Sequence, residues 1–207
     1  MPRSRRTGSL TRDAIVEEAL HLIRTEGVTG LTMRAVASAL GVTPMAAYYH
    51  VADKDELLRL VVERVSASNP PLHQKPGEEW EKTLKEYLLS LWDTSTRYPG
   101  LGIYLINQPG LGVTPDRLEP AVRFFEEVGF PPSGARLAWS VAMTYIHGRM
   151  SVDAHLARNR GAPRLDGLRA RDYVEFGADT VVAGLRAMLE SGTAPAFDDD
   201  RGARSTA

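Results

Sequence analysis

Residues 31–58 read LTMRAVASALGVTPMAAYYHVADKDELL, and the fold is decided in this stretch. Ala35, Val36, Ala37 and Leu40 fit one face of a short helix that Gly41 ends, because a glycine takes up the left-handed turn that a β-carbon resists. Thr43 followed by Pro44 reads as an N-cap and first helical residue, since proline lacks an amide that would go unpaired there. A second short helix then runs to about His50. Asp53 and Glu56, three apart before Leu57, Leu58, Leu60, Val61 and Val62, form a variant capping box and start the next helix near Lys54. Two short helices joined by a glycine turn, with small Ala37 at their crossing and Val42 and Ala47 facing inward, predict a helix-turn-helix.

The pattern outward is helical as well. Upstream, Ala14, Ile15, Ala19, Leu22 and Ile23 repeat on one face until Gly27. Residues 1–12 hold Arg3, Arg5, Arg6 and Arg12 without an acid. Such a cluster suits a solvated tail or an arm that touches phosphate or a minor groove. Downstream, three prolines in residues 68–77 mark a joint. Helices are expected over 78–98, from Thr114 and Pro115 to about Gly129, over 135–158 after the break at Pro131 and Pro132, and over 171–190. The glycine- and proline-rich stretch 98–115 carries only a short apolar piece at 103–106. No segment sustains the two-residue period of strands, so the chain is expected to be all-α with about nine helices. It divides into a helix-turn-helix domain with a basic arm at 1–67, a helical domain at 68–192 and a disordered tail at 193–207.

Composition narrows the class. The 207 residues are 43% hydrophobic and 25% charged, an ordinary globular balance. The net charge of -1 means that any DNA-binding surface must come from a local excess of positive charge. With no cysteine there is neither disulfide nor thiolate–metal site. No apolar stretch approaches a membrane span, and the basic start lacks a signal peptide's apolar core, so a cytoplasmic protein is expected.

The outward side of the second short helix carries the functional reading. Pro44, Met45, Ala46, Tyr48, Tyr49 and His50 combine small and aromatic residues with no acid to repel phosphate. A recognition helix reads base edges with its first turns while hydroxyls and basic groups fix the backbone. Taken alone, the pattern also fits a plain three-helix bundle with Tyr48 and Tyr49 in its core.

Residues 31–58 resemble the DNA-binding domain of the TetR family of repressors, and the similarity extends roughly from Arg12 to Val65. Its order is specific: an LT start, a glycine-ended helix, VTPMAAYYHV, then DKDELL. The tetracycline-repressor branch, with its tyrosine–aromatic–histidine–valine run, is the most similar. By position the resemblance implies that Thr32 contacts phosphate and Arg34 reaches a guanine edge. It implies that Pro44, Met45 and Ala46, just after Thr43, face bases, with Met45 and Ala46 able to meet thymine methyls. Tyr48, Tyr49 and His50 would contact backbone or neighbouring bases, and Lys54 would pair with phosphate. The base-facing positions are mostly apolar here, so the operator need not resemble a relative's.

The resemblance further implies a variable helical domain that binds a small-molecule effector and forms a homodimer. In the last helix, Tyr173, Phe176, Gly177, Thr180, Val181, Gly184, Leu185 and Met188 form a broad face that suits either a second subunit or the intrachain core. Candidates for effector contact are Trp80, Trp92, Tyr104, Phe124, Trp139, Met143, Tyr145 and His147, aromatic or polar-tipped residues on the central helices. Most such residues also serve as core packing. His147 and His155, with Asp153 nearby, are eight residues apart and point about 80° from each other on a helix, so no metal site is expected. No cofactor is expected either.

An enzyme is the main rival class, but the chain has no nucleophile elbow, Walker loop or zinc-protease motif. The glycines at 100, 102, 110 and 112 follow no strand. The resulting expectation is a regulator, most simply a repressor, released from a palindromic operator by a small molecule. A helical DNA-binding protein without an effector is the alternative.

Overall fold

The structure, a computed structural model, describes residues 10–68, 71–74, 76–107, 115–158 and 167–196. Among these it forms nine α-helices and no β-strand, as the periodicity predicts. They are α1 (Arg12–Gly30), α2 (Met33–Leu40), α3 (Pro44–His50), α4 (Lys54–Ala67), α5 (Trp80–Arg97), α6 (Leu101–Asn107), α7 (Pro115–Val128), α8 (Pro132–Arg158) and α9 (Ala170–Glu190). None of the described helices is long and apolar enough to cross a membrane. The arginines at positions 3, 5 and 6, the Thr114 cap, the glycines at 110 and 112, and the tail beyond residue 196 lie outside the described residues.

The chain divides into two units, the first being Met1–Ser68 with Arg97–Leu101. Its core is aliphatic: Ile15, Ala19 and Ile23 of α1, Val36 and Ala37 of α2, Ala47 of α3, and Leu57, Leu58 and Val61 of α4 are all buried. Gly27 has φ +74° and interrupts the helical dihedrals of α1, which is the stop its sequence position foretells. Outside the core, Arg64 of α4 pairs with Asp13 at 2.6 Å and with Glu17, and Arg12 pairs with Glu56. Pairs as exposed as those of Arg64 add little stability.

Residues 97–101 join this first unit, which the sequence gives no sign of. The Val28 amide donates to the Pro99 carbonyl at 3.0 Å. Gly27 and Gly100 are both at positive φ beside Pro99 and Val28, and a β-carbon on Gly27 would come 3.3 Å from the Pro99 carbonyl oxygen.

The second unit comprises Asn69–Thr96 and Gly102–Ala207. Leu84, Leu88 and Trp92 of α5 meet Phe124 and Phe125 of α7, Trp139 and Ile146 of α8, and Val174, Val182 and Leu185 of α9 in one cluster. The Phe124, Phe125 and Phe130 rings stack edge-on, with centroids 5.2 and 5.7 Å apart. On the outside, Lys85–Asp179, Arg186–Glu81 and Arg171–Asp93 tie α9 to α5 at 2.6, 2.8 and 3.2 Å.

Two local outcomes differ from the expectation. Residues 101–107 form α6 although Gly102 sits inside it; a β-carbon there would lie 3.4 Å from Met150 Sδ and 3.5 Å from Ser95 Cβ, ordinary contact distances, so the helix tolerates this glycine rather than requiring it. Pro132 does not break the chain but opens α8, in the first turn where a missing amide costs nothing.

Candidate nucleic-acid interface and effector region

The paired helices are held by their ends. Thr32 caps α2 by accepting from the Ala35 amide at 3.0 Å, and Thr43 caps α3 by accepting from Ala46 at 3.2 Å. Between them Gly41 takes φ +70°, ψ +29°. The Val42 amide reaches back to the Ala37 carbonyl at 2.9 Å and the Gly41 amide to Ser38 at 3.1 Å, the paired bonds of a glycine-terminated helix. Ala37 and Ala47 are fully buried, so small side chains let the two helices close on one another. Asp53 caps α4 through the Glu56 amide at 2.7 Å, while the Glu56 carboxylate accepts from the Ala52 amide at 2.6 Å. The capping box is therefore displaced by one residue from its usual return to the cap itself.

This frame leaves the outer side of α3 in solvent. Met45 is 78% exposed, Tyr48 45% and Tyr49 87%. The Tyr49 and His50 rings meet edge-on at 5.3 Å. The plain-bundle alternative needs both tyrosines in the core, and neither is there. Arg34, Thr32, Thr43 and Pro44 are exposed, while Ala46, His50 and Lys54 are half-buried. From Gly27 to Ala52 the chain contains no acid, so neither helix of the pair carries a carboxylate that would repel phosphate.

The effector candidates do not gather into one cavity. Trp92, Phe124 and Trp139 are buried members of the second unit's core; Trp80, Met143 and Tyr145 pack at its border; Tyr104 and His147 are half-buried. The Tyr145 hydroxyl donates to the Val174 carbonyl at 2.8 Å, and its ring lies against Gly177, whose missing side chain makes the room. Burial raises the Tyr145 pKa above the ordinary tyrosine value, so the phenol stays neutral. Burial also lowers the His147 pKa, favouring the neutral imidazole. Trp92 Nε1 donates to Asp153 at 2.8 Å, and Arg149 pairs with the same carboxylate while lying 5.4 Å over the Tyr173 ring. An arginine already occupying Asp153 makes that carboxylate a poor metal ligand. No group of three His, Asp or Glu side chains able to hold a metal forms among the described residues.

A groove of about 490 Å³ lies instead between residues 72–74 and α7, lined by Leu72, His73, Glu119, Arg123, Phe124 and Glu127 among others. Of the effector candidates only Phe124 reaches it. The remaining lining residues are charged, are Pro120 of α7, or sit in the proline-rich joint, where a search for aromatic residues on central helices does not look.

A third surface belongs to α8 and α9. Leu137, Val141 and Val152 on α8, and Phe176 (75% exposed) and Met188 on α9, stand in solvent. Gly148 and Gly184 lie on the same faces with nothing within 4 Å of where a β-carbon would be. Of the broad face read from the last helix, Leu185 enters the core and Val181 packs at its border, whereas Phe176, Thr180, Gly184 and Met188 stand in solvent; the core side is completed by Val174, Ala178 and Val182, which that reading did not include.

A capped helix pair with a left-handed glycine between them, and an aromatic second helix turned outward, defines the helix-turn-helix class of proteins. Comparison with known proteins agrees: residues 15–61 match the family described as bacterial regulatory proteins, tetR family. The tetracycline repressor protein class D of Escherichia coli is 32% identical over 123 residues, 58% of this chain and 56% of that protein. The chain thus aligns with little more than half the length of that relative. The class C repressor of Escherichia coli is 28% identical over 196 residues, 91% of this chain and 86% of that protein. Among solved structures, a variant TetR from Acinetobacter baumannii AYE in complex with minocycline is similar, with TM-score 0.72 and 25% identity. That likeness covers 87% of this chain and 99% of the other. The family match thus lies on the segment that holds the helix pair, and the helix order over most of the chain is similar to that of a solved TetR.

Proposed function

We propose that the chain is a sequence-specific DNA-binding transcriptional regulator, a repressor that leaves a palindromic operator when a small molecule binds its second unit. The observation that carries this reading is the outward face of α3: Met45, Tyr48 and Tyr49 are held in solvent by a capped, glycine-turned scaffold, with no acid from Gly27 to Ala52. Large apolar and aromatic side chains spend free energy in water unless a partner covers them. A DNA major groove has the width of an α-helix and offers both methyl groups and phosphates. Arg34 then contacts a guanine edge, Thr32, Thr43, Tyr48, Tyr49, His50 and Lys54 hold phosphate and sugar, and Pro44, Met45 and Ala46 face bases.

Two copies are part of the proposal. One seven-residue helix reads too few base pairs, whereas a two-fold pair sets two such helices about 34–36 Å apart in successive major grooves. The apolar, glycine-bearing faces of α8 and α9 suit a four-helix contact with a second copy, because small residues let helix backbones approach. For the effector, the groove beside α7 has a volume within the range of small-molecule sites, and the reading is supported by the similar Acinetobacter protein being in complex with minocycline. Release requires the effector to favour, by its differential affinity, the state that binds DNA weakly.

The test is direct. Purified protein is titrated against duplexes tiled across the region upstream of its own gene, with sedimentation of the complexes. One duplex bound by two protomers at sub-micromolar concentration and moderate salt supports the reading; equal, weak binding to every tile removes it.

A further inference from the structure

The groove beside α7 carries its charges in an order that selects for a cation, and we infer that it binds an amphiphilic amine, an apolar body bearing a protonated nitrogen. This deepens the effector reading above and rests on it for the choice of groove. Leu72 and Phe124 are almost fully buried and Pro120 beside them is half-buried, so the floor of the groove is apolar. Its rim is charged. Glu119, Arg123 and Glu127 are all exposed and follow one another at four-residue intervals, so they form one row along α7, each step rising about 6 Å. Pro120 and Phe124 form the row next to it. Elsewhere in the chain the same spacing closes into ion pairs, Arg149 with Asp153 and Arg171 with Glu175. Among the described residues no ion pair engages Glu119, Arg123 or Glu127, which leaves all three charges to a ligand.

The order of the row decides the sign of the ligand. A cation placed on either carboxylate has the guanidinium one turn away and the second carboxylate two turns away. An anion placed on Arg123 has a carboxylate one turn away on both sides. With equal attraction at contact, the anion meets twice the repulsion at about 6 Å, so the row favours positive charge. A cation also finds two such positions, one at each end of the row, where an anion finds one. His73 on the opposite wall adds an acceptor. Its Nδ1 lies 2.8 Å from the Pro71 carbonyl, which can only accept, so Nδ1 holds the proton and the neutral ring has its Nε2 lone pair to offer an N–H. The apolar part of the ligand then covers Leu72, Pro120 and Phe124, in a volume of about 490 Å³ that admits a drug-sized molecule.

Three fluorescent probes isolate the charge, since they share one anthracene body and differ only in the group on its methylene: an ammonium, a hydroxyl or a carboxylate. Each is titrated into the full-length chain at neutral pH and low salt and read by its own fluorescence. The ammonium should bind about five-fold more tightly than the alcohol, the upper end for one exposed ion pair, and the carboxylate more weakly than the alcohol. In about 1 M salt the three should converge, because the screening length falls to about 3 Å. Glu119→Gln combined with Glu127→Gln keeps the shape of two exposed side chains. It should bring the ammonium down to the alcohol and leave the alcohol and the unfolding midpoint unchanged, whereas Arg123→Gln should tighten the ammonium. Equal binding of the three probes, tightest binding of the carboxylate, or no binding of the ammonium at millimolar concentration overturns the inference. An ammonium preference that survives the double variant places the probe elsewhere and overturns it as well. Adding the ammonium probe to the protein on a selected duplex separates amine recognition from the effector role. Occupancy without release of DNA leaves amine recognition standing and removes the effector role of the groove; release that the double variant abolishes supports both.

Discussion

Arg34 and Lys54 have different work on the proposed interface. A guanidinium that meets guanine in two parallel hydrogen bonds discriminates against a wrong base by about 1–3 kcal/mol. An ammonium on phosphate instead adds sequence-independent affinity through counterion release. Arg34→Ala should therefore weaken the selected site by roughly 5- to 150-fold and relax the preference at one base pair of each half-site. Lys54→Ala should weaken all duplexes alike and reduce the slope of log affinity against log salt by about 1 per protomer. Binding isotherms over a salt series separate the two, and an Arg34→Ala variant that keeps full preference at every base pair would refute its assignment. At this scale the sequence was informative where chemistry and position coincide. The exposure of Tyr48 and Tyr49 was open in the pattern, since an aromatic pair fits a core as well as a surface; it is Ala47 that α3 buries, and the tyrosines stay outside. The groove lining was not legible, because Leu72 and Arg123 come together only once residues 72–74 lie against α7.

Among the elements, those with chemical end signals were the most readable. Thr43–Pro44, Gly41 and Asp53 each mark a boundary by supplying or removing one hydrogen-bonding group, and each boundary falls where that group acts. α6 was missed because Gly102 and the prolines and glycines around it argue against a helix locally. The joining of residues 97–101 to the first unit depends on a backbone bond between Val28 and Pro99 that no side-chain pattern announces. Gly41 offers a clean test of the helix-turn-helix itself. A β-carbon there meets nothing within 4 Å, so Gly41→Ala introduces backbone strain alone. The left-handed conformation should cost about 1–2 kcal/mol, read as a shift of the urea unfolding midpoint. An unchanged midpoint would mean that the turn is not held at positive φ.

For the whole molecule, the proposed dimer makes a prediction in which two effects oppose each other. Gly184 lies on the exposed side of α9 with open space around it, so in an isolated protomer a larger side chain meets no clash. Gly184→Leu should raise helix stability by about 0.8 kcal/mol from propensity alone. If a second copy covers this face, the same leucine blocks the approach of its helix. The variant should then sediment as a folded monomer and lose operator affinity, although no DNA-facing residue has changed. A dimer with undiminished affinity would show that α9 is not the contact. The sequence carried the glycine and the apolar face but could not divide the helix into a core side and an exposed side, because both sides of α9 are rich in small and apolar residues.

The central claim is that α3 presents itself to a duplex as one of a two-fold pair. Selection of bound duplexes from a random-sequence pool by the full-length protein tests it most directly. The account predicts an inverted repeat whose half-site centres lie about 10–10.5 base pairs apart, or a multiple of that, with a guanine in each half-site that Arg34→Ala no longer requires. A pool that stays random through successive rounds, or a consensus without two-fold symmetry, would contradict it.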